Sequence, residues 1–262
     1  MTDPHSNKPS AYKGGWIQDF MVGLIFLTRL PIQPGFTFDM TALKSACRAF
    51  ALIGLIVGGV TGTVYLLAAY MGLPLHVSAI LAIAAQIVVT GALHEDAIGD
   101  VADGFGGGTD KQKKLAIMRD SRVGTYAVVA LILVIGLKIA VLGSMPDPLL
   151  GFAFIVVAAS LSRGLITWAL YLLPAARVDG LGHGAGRPDM MAPLASTVIC
   201  VLVAIFILGP QLGAIALMAG IVGASLMGMI AKRQIGGQTG DVLGAIQQIS
   251  EVFILIACLA AI

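Results

Sequence analysis

Apolar and polar positions in this 262-residue chain alternate on the scale of whole helices. Mostly apolar runs of about 20 residues, the length needed to cross a hydrocarbon core of ~30 Å, lie near 49–72, 75–93, 124–145, 150–173, 191–209, 211–231 and 250–262. The last run is short at its C-terminal end and can begin before Ser250. Between Trp16 and Leu30, Asp19 and Arg29 bracket an apolar run too short to span, which predicts an interfacial or re-entrant helix. The pattern therefore predicts an all-α fold, a polytopic transmembrane helix bundle of about six to seven spans plus that N-terminal helix. Residues 1–15 read as a polar cytoplasmic N-terminus without the apolar core of a signal peptide, and residues 16–262 as a single integral membrane domain.

Composition agrees. Hydrophobic residues make up 58% of the chain and the mean hydropathy is +0.94, well above the roughly 45–50% apolar usage of soluble domains. Cys47, Cys200 and Cys258 have no pairing or metal-ligand spacing, so neither a disulfide framework nor a zinc site is expected. A formal net charge of +2 with no basic stripe argues against nucleic acid as a partner.

The placement of Lys and Arg orients the bundle, because short loops rich in them stay cytoplasmic. With the N-terminus inside, Lys8, Lys13, Arg29, Lys44 and Arg48 precede the first clear span, and Lys111, Lys113, Lys114, Arg119 and Arg122 follow the second. Arg177 and Arg187 follow the fourth, and Lys232 and Arg233 the sixth, while the Pro-containing links near 73–74, 144–148 and 209–210 carry no Lys or Arg. Every long polar loop is thus expected on the cytoplasmic face, and the substrate with it.

One polar interruption concentrates the chemistry. From Gly91 to Gly124 the chain reads GALHEDAIGDVADGFGGGTDKQKKLAIMRDSRVG and gathers six of the 14 acidic residues. Asp96, Asp100 and Asp103 stand at i, i+4 and i+7, so a helix projects all three carboxylates from one face. Such a face suits a hard cation, Mg²⁺ or Mn²⁺, and Mg²⁺ is commonly held by one or two carboxylates while phosphates and water complete its shell. A solvated acidic helix end is the plainer alternative. The spacing does not fit an EF-hand loop.

The glycine run containing Gly106 and Gly107 would let backbone N–H groups approach a phosphate or would serve as a flexible turn; it is neither a P-loop nor a dinucleotide fingerprint. Arg119 and Arg122, flanking Asp120, offer guanidinium groups for phosphate, with anchoring to anionic lipid as the other reading. Lys138 and Arg163 sit inside apolar spans, where an unpaired charge is costly, so they should have anionic partners: substrate phosphates, the aspartates, or a structural ion pair. Gln238, Thr239 and Asp241 in GGQTGD place amide, hydroxyl and carboxylate on a glycine scaffold able to bind a nucleotide or to cap a helix. His94, and His183 in GLGHGAG, are substrate contacts or incidental.

Taken together, HEDAIGDVADGFGGG, IMRDSRVGTY and GGQTGDVLGA, with FLTRLP near the start, resemble the adenosylcobinamide-GDP ribazoletransferase family, also called cobalamin 5′-phosphate synthase. The resemblance runs in order from Phe26 to Ala245 and includes Lys138 and Ser162-Arg163-Gly164. It implies that residues 16–262 form one catalytic domain in the cytoplasmic (inner) membrane, active on its cytoplasmic face, and that Mg²⁺ is used. The implied reaction joins adenosylcobinamide-GDP to α-ribazole or its 5′-phosphate and releases GMP. On that resemblance Asp96, Asp100 and Asp103 would hold the metal against the pyrophosphate, and Arg119, Arg122, Lys138 or Arg163 would neutralise charge. Asp103 or Asp241 would be the general base. A homo-oligomer, or association with other late cobalamin-pathway enzymes, is an expected partnership besides the lipid bilayer. The family motif usually carries an apolar residue where Glu95 stands, and Gly where Ala97 stands; Glu95 would add a ligand or face the headgroups.

Two rival readings differ in sequence. A CDP-alcohol phosphotransferase would show a D-x-x-D-G-x-x-A-R order, which is missing. A cation-coupled transporter often shows repeated halves around broken helices, and no repeat of fixed period occurs.

Overall fold

A computed structural model describes residues 10–262; residues 1–9 of the expected polar N-terminus lie outside the described residues. A two-residue strand β1 (Ser10–Ala11) precedes α1 (Trp16–Leu27) and pairs in parallel with β2 (Phe36–Thr37). Two 3-10 turns (Met40–Ala42, Cys47–Ala49) flanking α2 (Leu43–Ala46) lead into α3 (Phe50–Tyr70). There follow α4 (Leu75–Thr90), α5 (Leu93–Gly107), α6 (Lys111–Ile117), α7 (Thr125–Gly143), α8 (Pro148–Leu172), α9 (Leu181–Ala185), α10 (Met191–Ile235) and α11 (Gly240–Ala260). The fold is the all-α membrane bundle that the apolar runs predict.

Five helices are long and apolar enough to cross a membrane, and α4 with α5 would make a sixth as a broken span bent by 91°. Expected spans 191–209 and 211–231 appear as the single 45-residue α10, but Gly209 inside it is non-helical (φ 76°, ψ 170°) and precedes Pro210. A Cβ added at Gly213 would lie 2.8 Å from the Ala204 carbonyl oxygen, whereas nine residues of straight helix cover about 13 Å. The chain therefore turns back at Gly209-Pro210, and α10 is two helices. The N-terminal α1, at 12 residues, is too short to cross. It is held by Asp19, fully buried, which pairs with Arg48 at 2.5 Å and accepts the Tyr12 hydroxyl; Arg48 also lies 4.4 Å over the Trp16 ring.

Helix α8 is the axis of the bundle, packed by α3, α10 and α11. Lipid is as apolar as any side chain, so membrane helices associate through close packing and polar contacts. Gly54, Gly58 and Gly62 supply the first on α3. A Cβ at Gly54 would collide with the Ala159 carbonyl, and one at Gly58 would lie 2.8 Å from the Val156 Cα. The second comes from Ser160 and Thr167 of α8, whose hydroxyls donate to the Ala51 and Cys47 carbonyls at 2.9 and 2.8 Å.

A buried polar layer joins four spans. Glu251 of α11 accepts from Gln86 of α4 at 2.8 Å and from Gln247 of its own helix, and lies 3.4 Å from Lys138 Nζ of α7. Gln247 also donates to Ser162 of α8 at 2.9 Å. Arg163, 1% exposed, donates to the Ala159 carbonyl at 3.0 Å and feels the charges of Glu251 and Glu95. Glu95 of α5 accepts from Gln248 of α11 at 2.9 Å. Two buried cations and two buried carboxylates thus share one layer, with Lys138 paired to Glu251 and Arg163 within range of both negative charges. Lys138 finds its anionic partner in Glu251, Arg163 bonds a carbonyl of its own helix and forms no ion pair among the described residues, and Glu95 is buried against α11 instead of facing headgroups.

Gly54→Val should lower the thermal midpoint by the equivalent of at least about 1–3 kcal/mol through overpacking. Gly59→Val, where an added Cβ meets nothing within 4 Å, should leave the midpoint near wild type in the same detergent scan. Lys138→Met alone should cost about 3–5 kcal/mol by stranding a buried carboxylate. Adding Glu251→Gln, which leaves Arg163 facing Glu95, should recover much of that loss in the same measurement.

Candidate active site

The break between α4 and α5 creates the site. Gly91 (φ 65°) and Ala92 (φ 58°) are both left-handed, and Ala92 is the one non-glycine residue among the described residues with positive φ. This costs an alanine roughly 1–2 kcal/mol and turns α5 sharply out of line with α4. Helix α5 then lays one side on α11 and another on α7. The approach to α11 is tight at Ala97, whose methyl occupies the space left by Gly244, so the alanine is accommodated by a glycine on the facing helix.

That docking buries His94 and Glu95 and leaves Asp96 accessible; Asp96 and the buried His94 both line a cleft of ≈130 Å³. Asp241, at the start of α11, faces the same cleft, together with Arg177 and a wall that includes Phe26, Leu43 and Phe50. Thr239 caps α11, accepting the Val242 N–H at 3.2 Å, and its hydroxyl donates to Asp241 at 3.1 Å. Asp100, one turn after Asp96, is close enough to Asp96, Asp241 and Asp103 for their charges to act on it. Arg177 lies 3.8 Å from both Asp241 and Asp179, and Asp179 also binds Arg119. A chain of alternating charge therefore runs from the cleft to its rim.

Other expected site residues are placed differently. Asp103 lies on the same helix, but its carboxylate accepts the backbone N–H of Gly124 at 2.6 Å and of Ala127 at 2.9 Å, capping α7. Among the described residues no three His, Cys, Asp or Glu side chains are gathered closely enough to hold a metal ion together. Gly106 and Gly107 belong to the last turn of α5 and form no loop; a Cβ at Gly106 would lie 2.7 Å from the Tyr126 ring. Arg122 is exposed and Asp120 half-buried, and they bind each other through several hydrogen bonds, which hold the Asp120 carboxyl down at about 2. Gln238 is buried and donates to the Gly182 carbonyl at 3.1 Å, joining the GGQTG turn to the glycine-rich α9 segment. Lys138 and Arg163 lie behind the cleft in the polar layer, where both act on the buried His94; His94 Nε2 has no hydrogen-bond partner among the described residues.

Sequence reasoning used Arg177 only for orientation and passed over Glu251. A single acid inside the last apolar segment is the same kind of signal that singled out Lys138 and Arg163.

Comparison with known proteins gives one result. The family model described as cobalamin-5-phosphate synthase matches residues 19–259. The chain is 40% identical over 248 residues to an adenosylcobinamide-GDP ribazoletransferase of Mesorhizobium japonicum, covering 94% of each chain. It is 38% identical over 244 residues to the protein of the same description from Bradyrhizobium diazoefficiens, covering 93% of this chain and 94% of that one. No solved structure matches it. The motifs that flank the cleft, HEDAIGDVADGFGGG and GGQTGDVLGA, both lie inside the matched region, and the chain belongs to the cobalamin-5-phosphate synthase family.

Proposed function

We propose that this membrane transferase acts on adenosylcobinamide-GDP. A ribose hydroxyl oxygen of α-ribazole, or of its 5′-phosphate, would attack the phosphorus that carries the cobinamide. The bond between that phosphorus and the oxygen bridging it to the second phosphorus breaks, GMP leaves with the bridging oxygen, and the hydroxyl proton passes to a base. The product is adenosylcobalamin or its 5′-phosphate.

The observation that carries this reading is the meeting of carboxylates from two helices, Asp96 and Asp100 of α5 and Asp241 of α11, beside Arg177 and an apolar wall. Phosphoryl transfer depends mainly on positioning and on neutralising charge, with little covalent work for the protein. Arg177, with Arg119 at the rim, supplies positive charge where phosphates would enter. Of the two carboxylates expected to take the proton, Asp241 is the better placed, because both Asp103 oxygens already accept backbone N–H groups.

Mg²⁺, or Mn²⁺ with the same preference for oxygen, fits this donor set. Asp100 is partly buried and lies within range of the like charges of Asp96, Asp241 and Asp103, a cost that a bound cation would relieve, and one or two carboxylates suffice for Mg²⁺ when phosphates complete its shell. Asp96 and Asp100 would hold it, and Asp103 would brace their helix against α7. When bound, the metal would supply positive charge to the pyrophosphate. The distribution of Lys and Arg supports a cleft on the cytoplasmic face of the inner membrane.

Purified protein in lipid should release GMP only when adenosylcobinamide-GDP, the ribazole acceptor and Mg²⁺ are all present. Asp96→Ala and Asp100→Ala should each lower kcat by roughly 10²- to 10³-fold, as expected for loss of a preorganised electrostatic contact. Unchanged turnover in both variants would sink the metal assignment, and an inactive wild type would sink the reaction.

A further inference from the structure

A second cavity, ≈280 Å³, opens beside the carboxylate cleft and shares Phe26, Leu43 and Leu93 with it. Its wall is mostly apolar and partly aromatic, with Phe38 and Met40 added to the shared residues; Thr28 and Thr90 also line it, and its one charged group is Arg29. Three observations mark this arginine. Its backbone N–H donates to the Val89 carbonyl at 2.7 Å, tying the end of the α1 segment to the last turn of α4. Its side chain lies across Gly91, where an added Cβ would come within 2.7 Å of Arg29 Cγ and closer still to Nε, so the left-handed glycine makes room for it. No Asp or Glu among the described residues forms an ion pair with it, a trait it shares with Arg187 and Arg233, whereas Arg48, Arg119, Arg122 and Arg177 are all paired with carboxylates.

An exposed arginine pinned at the break that builds the site, lining a partly aromatic pocket and in no ion pair among the described residues, is suited to a ligand with an apolar ring and a phosphate. Arginine binds phosphate through two parallel N–H bonds, and ligand pockets typically combine an apolar lining with a few polar groups that fix orientation. We infer that this cavity is the acceptor subsite, and that Arg29 binds the acceptor's 5′-phosphate and so selects the phosphorylated acceptor over the free nucleoside. The inference rests on the proposed transfer reaction and deepens it. Phe26, Phe38 and Met40 would face the heterocyclic base, and the shared wall at Leu93 would bring the ribose toward Asp96 and Asp241. The glycine-rich α9 segment touches Met40, with a Cβ at Gly184 falling 3.3 Å from Met40 Cβ, and so would border the subsite, while Met40 itself stays about half exposed.

The test is steady-state GMP release by wild type, Arg29→Gln and Arg29→Lys with α-ribazole 5′-phosphate and with α-ribazole as acceptors. In Arg29→Gln, KM for the phosphorylated acceptor should rise roughly 10- to 100-fold, the value of a charged hydrogen-bonded contact. KM for adenosylcobinamide-GDP and kcat/KM for α-ribazole should stay near wild type, and Arg29→Lys should fall between. Retained turnover of α-ribazole, or retained donor KM where α-ribazole is a poor substrate, shows that the variant is folded. Because a lipid headgroup offers the same phosphate chemistry, the series is run in neutral detergent and again with anionic phospholipid. Equal losses on both acceptors, a raised donor KM, or an effect seen only with anionic lipid would overturn the assignment. A wild type inactive with either acceptor would instead overturn the underlying reaction.

Discussion

A charge placed among apolar spans has no water to hydrate it, and the bundle is organised around satisfying that demand. Glu251 is the centre of the solution. Lys138 comes to it from α7, Gln86 from α4 and Gln247 from its own helix, while Ser162 of α8 binds Gln247 and Arg163 lies within reach of its charge. Each of these groups is costly alone in the membrane, and each becomes tolerable only in the geometry that gathers all of them. The layer thus restricts how α4, α7, α8 and α11 can pack, a restriction that hydrophobicity cannot impose between helices already dissolved in lipid.

The site is a consequence of that restriction. Gln248 sits next to Gln247 on α11 and binds Glu95, so the layer that holds α11 also holds α5. With Glu95 and His94 buried, the next residue on the helix, Asp96, stays accessible at the cleft, and the following turn brings Asp100 beside it. Asp241 arrives from the opposite side because Thr239 caps α11 there. The left-handed pair Gly91-Ala92, strained at Ala92, releases α5 from the line of α4 and makes the space that Arg29 crosses. Backbone strain is placed where the chemistry is expected, as often happens at functional sites.

Much of this was legible from residue order. The apolar runs located the spans, and Pro210 after a glycine marked the reversal that divides α10. The i, i+4, i+7 spacing put the aspartates on one helix, and the rule that buried charges need partners singled out Lys138 and Arg163. Asp103 shows where spacing stops: it shares a face with Asp96 and Asp100, yet its oxygens are taken by the N–H groups of Gly124 and Ala127. Likewise Asp120 and Arg122, adjacent to Arg119 in sequence, point to each other while Arg119 reaches Asp179.

The sequence by itself determined the class of fold, the family and the helix that bears the acids, because periodicity, span length and motif order are local properties carried by each segment. The tertiary structure decided which charges pair. Glu251 lies more than a hundred residues from Lys138, and Asp241 a similar distance from Asp96, so their meeting depends on how separate helices cross. It also decided that Glu95 belongs to the core and Asp96 to the cleft. Neighbours on a helix point in directions about 100° apart, and only the packing of α5 against α11 says which of those directions is inside.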